Sequence, residues 1–294
     1  MNINGNTKLF GVVGYPVGHS LSPAMHNKAF ESLQLDCCYL PLPLRPQDLD
    51  KGVDGLRALG FAGFNVTIPH KEAILARLDE VDPEASGMGA VNTVINRGGC
   101  LIGYNTDGRG FLRSVSELWQ FNPAGENVVL LGAGGAARAI AAALAGGGAR
   151  SVTIANRHPE RAEKLAQVLA ERFLCQFHAT DLAGRELDLA LEQGSLVVQT
   201  TSAGMYPDAE SEPIINPLRL FKHNFVYDII FNPWETRFLK GARRQGCPTA
   251  NGLGMLLYQG TLAFELWTGR PAPVEIMRGA LLAAFGPGHV KEVP

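Results

Sequence analysis

The chain has 294 residues, 46% of them hydrophobic, with 26 Lys+Arg against 28 Asp+Glu; this length predicts about two domains, and the near-balanced charge excludes a protein built to grip nucleic acid or an anionic membrane. Five cysteines without a CxxC pair and seven histidines without HExxH argue against a disulfide framework and a metal site. No stretch reads as a signal peptide and no window approaches a membrane span, so a cytoplasmic protein is expected.

In the first third, strands and helices alternate. Residues 9–16 read as a strand, and 22–33 as a helix with Ser22 as N-cap and Pro23 at its first position. Residues 38–44 are extended, 48–60 helical, and 61–69 (FAGFNVTIP) a strand ended by Pro69. The apolar spacing of Ile74, Leu75 and Leu78 predicts a helix starting near His70. That reading puts Lys71 in a first helical turn, where an acid is the usual choice. Two strands follow around the turn Arg97-Gly98-Gly99. The alternation predicts a mainly parallel α/β layer.

After a helix over 108–119 a second unit is expected. It contains an apolar strand (NVVLLG), an alanine-rich helix, a second strand (SVTIANR) and a helix from Pro159. Further strands are SLVVQTT and FVYDII, followed by a helix over 235–246 and a short strand, CPTAN. From Gly252 onward the pattern is mostly helical, with helices over 254–269 and 273–286.

LLGAGGAARA follows a strand and opens a helix, and Gly132, Gly134 and Ala137 fit G-x-G-x-x-[GA]. The first glycine allows a tight turn, the second lets backbone approach a pyrophosphate, and the third position must be small for close packing. A dinucleotide is therefore expected at this helix N-terminus. The next strand ends in Asn156-Arg157-His158, without the acid that binds ribose hydroxyls in NAD enzymes. Arg157, with Arg161 four residues on, suits a 2′-phosphate, which favours NADP over NAD.

Four short stretches carry polar residues where apolar strands end: GHSLSP, NVTIPHK, AVNTV and YNTDG. Such strand ends border the ligand crevice in open α/β sheets. Ser20 and Ser22, at a helix start, suit a carboxylate. Asn65 and Thr67 share a strand face and either bind hydroxyls or act as satisfied edge polars. Hydride transfer to a carbonyl needs a proton donor for the developing alkoxide, and Lys71 and Asp107 are the candidates.

Eight stretches in this order resemble the shikimate dehydrogenase family: GYPVGHSLSPAMHN, GFNVTIPHK, GAVNTV, GYNTDG, LGAGGAARA, ANR, TTSAGM and GLGMLLYQG. The resemblance covers nearly the whole chain. It implies two α/β domains: a mainly parallel substrate domain, 1–107 completed by the C-terminal helices of 253–294, and a central Rossmann-like NADP-binding domain, 108–252. It implies NADPH-dependent reduction of 3-dehydroshikimate to shikimate, on the route to chorismate and aromatic amino acids. By motif, Ser20 and Ser22 resemble the carboxylate binders. Thr67, Asn92, Asp107 and Gln259 resemble the ligands of the ring hydroxyls, and Lys71 resembles the catalytic lysine paired with Asp107. Gly132, Ala133, Gly134, Gly135 and Ala136 match the pyrophosphate loop. Asn156, Arg157 and Arg161 match the adenosine-phosphate site. Thr201, Ser202, Met205, Ile229, Gly252 and Met255 lie in stretches that border the nicotinamide in the family.

The family usually carries YDxxY where this chain has YDIIF, so Phe231 replaces a tyrosine that reaches the substrate. A dehydrogenase of broader shikimate and quinate specificity is the nearest alternative. A methylenetetrahydrofolate dehydrogenase fits the two-domain plan, but the paired serines and NTDG argue against it. An idle NADPH-binding sensor would not need Lys71 and Asp107. The substrate is a small molecule, and a monomer and a homodimer are equally compatible with the sequence.

Overall fold

The computed structural model describes residues 3–285. The last residues of the expected C-terminal helix and domain, 286–294, lie outside the described residues. The chain divides into two compact units, Met1–Gly110 with Leu256–Pro294, and Phe111–Met255.

The first unit contains β1 (Lys8–Gly14), α1 (Ser22–Ser32), β2 (Cys37–Pro43), α2 (Leu49–Ala58), β3 (Gly63–Val66), β4 (Glu80–Val81), α3 (Pro83–Met88), β5 (Thr93–Arg97) and β6 (Cys100–Tyr104). The strands form one sheet in the order β2-β1-β3-β5-β6-β4. Three of its pairings are parallel, whereas β5 runs antiparallel to both neighbours. The turn explains that reversal. Gly98 and Gly99 sit at φ 61° and 95°, so the two-residue loop closes a hairpin that only an antiparallel pair can use. Leu49, Val53 and Leu56 of α2 pack on one face of the sheet with Phe64, Val66 and Val94. Around α1 an aromatic cluster forms from Phe10, Phe30, Tyr39 and Trp267.

Two local expectations are corrected here. No α-helix starts at His70: Lys71 lies in a turn, followed by a short 3₁₀ segment, Ala73–Arg77. KEAILARLD has good helix formers, but Leu78 is already extended because the next residues pair as β4 with β6. Tertiary pairing overrides propensity. The preference for an acid in a first helical turn therefore does not bear on Lys71. Ser22 is not the N-cap of α1 either; Leu21 is, and Ser22 is the first helical residue. The Ser20 hydroxyl accepts the Ser22 N–H at 3.3 Å, which is the job a capping side chain does.

The second unit begins within α4 (Asp107–Trp119), continues through β7 (Asn127–Leu131), α5 (Gly135–Gly146), β8 (Ser151–Ala155), α6 (Pro159–Ala170), β9 (Gln176–Thr180), α7 (Arg185–Gln193), β10 (Leu196–Gln199), β11 (Phe225–Asp228), α8 (Arg237–Arg244) and β12 (Thr249–Ala250), and closes within α9 (Leu253–Thr268). The described residues then close with α10 (Val274–Phe285) of the first unit. Every pairing of the second sheet is parallel, in the order β12-β11-β10-β7-β8-β9. This is the doubly wound order, with its switch point between β7 and β10. The pattern reading misses β4, α3, β9 and α7. Strand β9 (QFHAT) is an edge strand with mixed burial, so it carries no continuous apolar run.

Candidate active site

In the first unit, Lys71 and Asp107 meet. Lys71 Nζ donates to Asp107 Oδ2 at 2.6 Å, with the side chains 17% and 5% exposed. Asp107 is held from its other side too: Asn92 Nδ2 donates to Oδ1 at 2.8 Å, and Asn105 Oδ1 accepts the Asp107 N–H at 3.0 Å. The Val91 N–H donates to the Lys71 carbonyl at 2.8 Å, fixing the lysine turn against the start of β5. Asn92 is the hub. Its amide nitrogen also faces Thr106 Oγ1 at 2.9 Å and Gln259 Oε1 at 3.4 Å. Its amide oxygen accepts from Thr106 N and Thr93 Oγ1.

Gln259 comes from α9, 167 residues along the chain from Asn92. A Cβ on Gly110 would lie 2.5 Å from the Gln259 nitrogen, so a bare glycine lets α4 and α9 touch backbone to backbone there. Thr67 is half-buried, its N–H bound to the Val13 carbonyl at 2.8 Å. Its methyl sits where a side chain on Gly14 would be. Asn65 is fully engaged inside the unit: its oxygen accepts from the Tyr39 hydroxyl, and its nitrogen donates to Asn92 O and Thr93 Oγ1. Ser22 is buried and Ser20 half-buried at the start of α1.

In the second unit the glycine turn lies at the switch point. Gly132 has φ +119°, and a Cβ there would meet Thr200 Oγ1 at 2.5 Å, so its conformation and its packing both require glycine. Gly134 differs: it is exposed, caps α5 without a side chain, and a Cβ would meet nothing within 4 Å. The protein itself does not need that glycine, whereas a phosphate approaching the helix N-terminus does. Ala133, Gly135 and Ala136 complete a side-chain-poor rim, and Ala137 is fully buried between helix and sheet. These residues fit a dinucleotide.

Asn156 follows β8, its N–H on Thr180 O and its amide on His158 O. Arg157 and Arg161 are exposed just beyond it. Thr201, Ser202 and Met205 follow β10; Gln199 braces this loop through the Thr201 and Ala203 carbonyls. Ile229 and Gly252 are in backbone contact, since a Cβ on Gly252 would lie on the Ile229 carbonyl oxygen and its N–H donates to Ile230 O at 3.0 Å. Met255 is buried, with its N–H on the Tyr227 hydroxyl at 3.1 Å. Phe231 is half-buried in the turn after β11. Asp228 anchors that turn: it accepts Ile230 N–H at 3.0 Å and Thr236 Oγ1–H at 2.7 Å. Burial pushes its carboxyl from 3.8 up to about 7 against those two bonds.

Sequence reasoning misses several of these side chains. Thr93, Asn105 and Thr106 sit beside chosen residues in AVNTV and YNTDG, so the same signal was available for them. Tyr39, Tyr227 and Asp228 give none, because an aromatic or a lone acid in a strand reads as core or surface.

Three family profiles match the chain. The shikimate dehydrogenase substrate binding domain matches residues 12–94, shikimate / quinate 5-dehydrogenase 116–213, and the shikimate 5'-dehydrogenase C-terminal domain 252–282. The shikimate dehydrogenase (NADP(+)) of Moorella thermoacetica is 50% identical over 97% of this chain and 96% of its own. A shikimate dehydrogenase solved in complex with NADP+ is 41% identical, with a TM-score of 0.89 over 97% of this chain and 98% of that one. The shikimate 5-dehydrogenase of Thermus thermophilus, solved with NADP(H) and shikimate, is 38% identical, with a TM-score of 0.83 over 94% of this chain and 99% of that one.

Proposed function

The chain belongs to the shikimate dehydrogenase family, and from that premise we propose that it interconverts 3-dehydroshikimate and shikimate with NADP(H), in the biosynthesis of chorismate and aromatic amino acids. The observation that carries the reading is the Lys71–Asp107 pair at 2.6 Å, braced by Asn92 with Gln259 beside it.

NADPH, when bound, supplies the hydride that reduces the ring carbonyl. Lys71 Nζ delivers the proton to the oxygen as it becomes an alkoxide, and takes it back in the reverse direction. Asp107 holds the ammonium in place, and Asn92 holds Asp107, so the donor needs no reorganisation as charge develops. A mostly buried ion pair is weak evidence of a stability role, which leaves function as its better explanation. Asn92, Gln259, Thr67 and Asn65 orient the ring hydroxyls, Asn65 acting through its neighbours. Ser20 and Ser22 take the carboxylate, and Phe231 stands at the position of the family's substrate-reaching tyrosine. Gly132 to Ala136 would hold the pyrophosphate, Asn156, Arg157 and Arg161 the 2′-phosphate end, and Thr201, Ser202, Met205, Ile229, Gly252 and Met255 the nicotinamide.

Residues 1–107 with 253–294 serve as the substrate domain and 108–252 as the NADP domain. Among the described residues no helix is long and apolar enough to cross a membrane. The five cysteines are free, which suits a reducing compartment and supports a cytoplasmic enzyme, acting as a monomer or a homodimer. The test is NADPH formation from shikimate by wild type and Lys71→Ala. Turnover should fall about 10²- to 10⁴-fold in the variant, with NADP+ binding unchanged. Near-normal turnover removes Lys71 from the mechanism.

A further inference from the structure

Tyr39 on β2 is held more completely than any role in core packing requires. It is 1% exposed. Its ring stacks on His26, centroids 4.5 Å apart at 17°, and faces Trp267 at 5.9 Å. Its backbone is pinned at both ends by one side chain: Tyr39 N–H donates to Asn27 Oδ1 at 2.8 Å, and Asn27 Nδ2 donates to Tyr39 O at 2.9 Å. Its hydroxyl donates to Asn65 Oδ1 at 2.6 Å. His26 and Asn27 lie on α1 together with Ser22, so the helix that carries Ser22 clamps Tyr39 at ring and backbone. Among the described residues His26 has no hydrogen-bond partner, and burial lowers its pKa to about 3, so it serves as a neutral plate behind the Tyr39 ring.

The direction of the hydrogen bonds gives the clamp a purpose. The Tyr39 proton goes to Asn65. Asn65 Nδ2 donates to Thr93 Oγ1 at 3.1 Å, Thr93 donates to Asn92 Oδ1 at 2.9 Å, and Asn92 donates to Asp107 Oδ1 at 2.8 Å. Every donor from Tyr39 onward points toward the Asp107 carboxylate, and bonds aligned in this way polarise one another.

We propose that Tyr39 is a positioning residue that sets the spacing between Ser22, at the carboxylate end of the substrate site, and Lys71–Asp107, at its acid–base end, and so contributes to the choice among cyclic hydroxy acids. This rests on the proposed function, because Ser22 is taken there as a carboxylate ligand. Tyr39 does not touch the reacting atoms; it acts through α1, which carries Ser22, and through Asn65.

The test is steady-state kinetics of Tyr39→Phe, which keeps the ring and removes one oxygen. Leaving a buried acceptor on Asn65 without its donor should lower kcat/KM for shikimate about tenfold, mainly through KM, with KM for NADP+ unchanged. A merely structural loss would reduce the active fraction and hence kcat, leaving both KM values alone; that result overturns the proposal. The double variant Tyr39→Phe/Thr93→Val should lose less than the sum of the single losses, whereas full additivity refutes action through the Asn65–Thr93 relay. If Tyr39→Phe does not fold, Asn27→Ala replaces it, freeing the backbone clamp while keeping the hydroxyl. A several-fold rise in KM for shikimate alone then supports the proposal, and an unchanged KM refutes it. Wild-type activity on shikimate, measured in parallel, tests the proposed function separately.

Discussion

Asp228→Asn tests the electrostatics of the turn that carries Ile229 and Phe231. Asp228 ends β11 with no exposed surface, and its carboxyl is raised from 3.8 to about 7, chiefly by desolvation. The folded protein therefore binds this proton more tightly than the unfolded chain does. Below about pH 4 both states hold it and the contribution is fully present. From there to about pH 7 the unfolded chain has released the proton while the folded state retains it, so stability falls as pH rises; above about pH 7 the difference is constant. The gap from 3.8 to about 7, at about 1.36 kcal/mol per pH unit, amounts to about 4 kcal/mol. Roughly two thirds of this lies above about pH 5, where urea unfolding followed by circular dichroism is practicable. Asparagine keeps an oxygen for Ile230 N–H and cannot ionise. The stability of wild type minus that of Asp228→Asn should thus drop by about 3 kcal/mol between about pH 5 and pH 7 and then level off. All other titrating groups cancel in the subtraction. A difference that stays flat from about pH 5 to pH 8 would mean that Asp228 ionises normally despite its burial, and the reasoning would fail.

The two glycines of the turn should behave oppositely. Gly134→Ala, placed in open space, should leave the melting temperature unchanged and raise KM for NADP+ at least about tenfold. Gly132→Ala, at φ +119° and against Thr200, should cost about 1–3 kcal/mol of stability; equal effects on melting would refute the distinction. Arg157→Ala should weaken NADPH far more than NADH, and parallel changes in the two KM values would show that the arginine does not read the 2′-phosphate. Phe231→Tyr should lower KM for shikimate and raise the shikimate-over-quinate ratio of kcat/KM; if initial rates with both acids are unmoved, position 231 does not choose the substrate.

Much of this protein is legible in its residues taken locally. Continuous apolar runs such as NVVLL and SLVVQ become buried parallel strands because a strand covered on both faces needs little else. Gly132 and Gly134 between strand and helix mark the dinucleotide turn because backbone sterics alone restrict that geometry. The clustering of Asn65, Asn92 and Asp107 at strand ends marks them as site candidates, since polar groups there need partners or ligands. Other features exist only once the chain is folded. Lys71 leaves the helix its sequence favours because Glu80 and Val81 are drawn into the sheet beside β6. Gln259 joins Asn92 because Gly110 admits the backbone of α9. The brace of Tyr39 through Asn65 links residues 39, 65, 93, 92 and 107. Local sequence sets which backbone conformations and burial patterns are accessible, but hydrogen-bond partners far apart in the chain are chosen by strand order and helix packing, which no window of neighbouring residues contains.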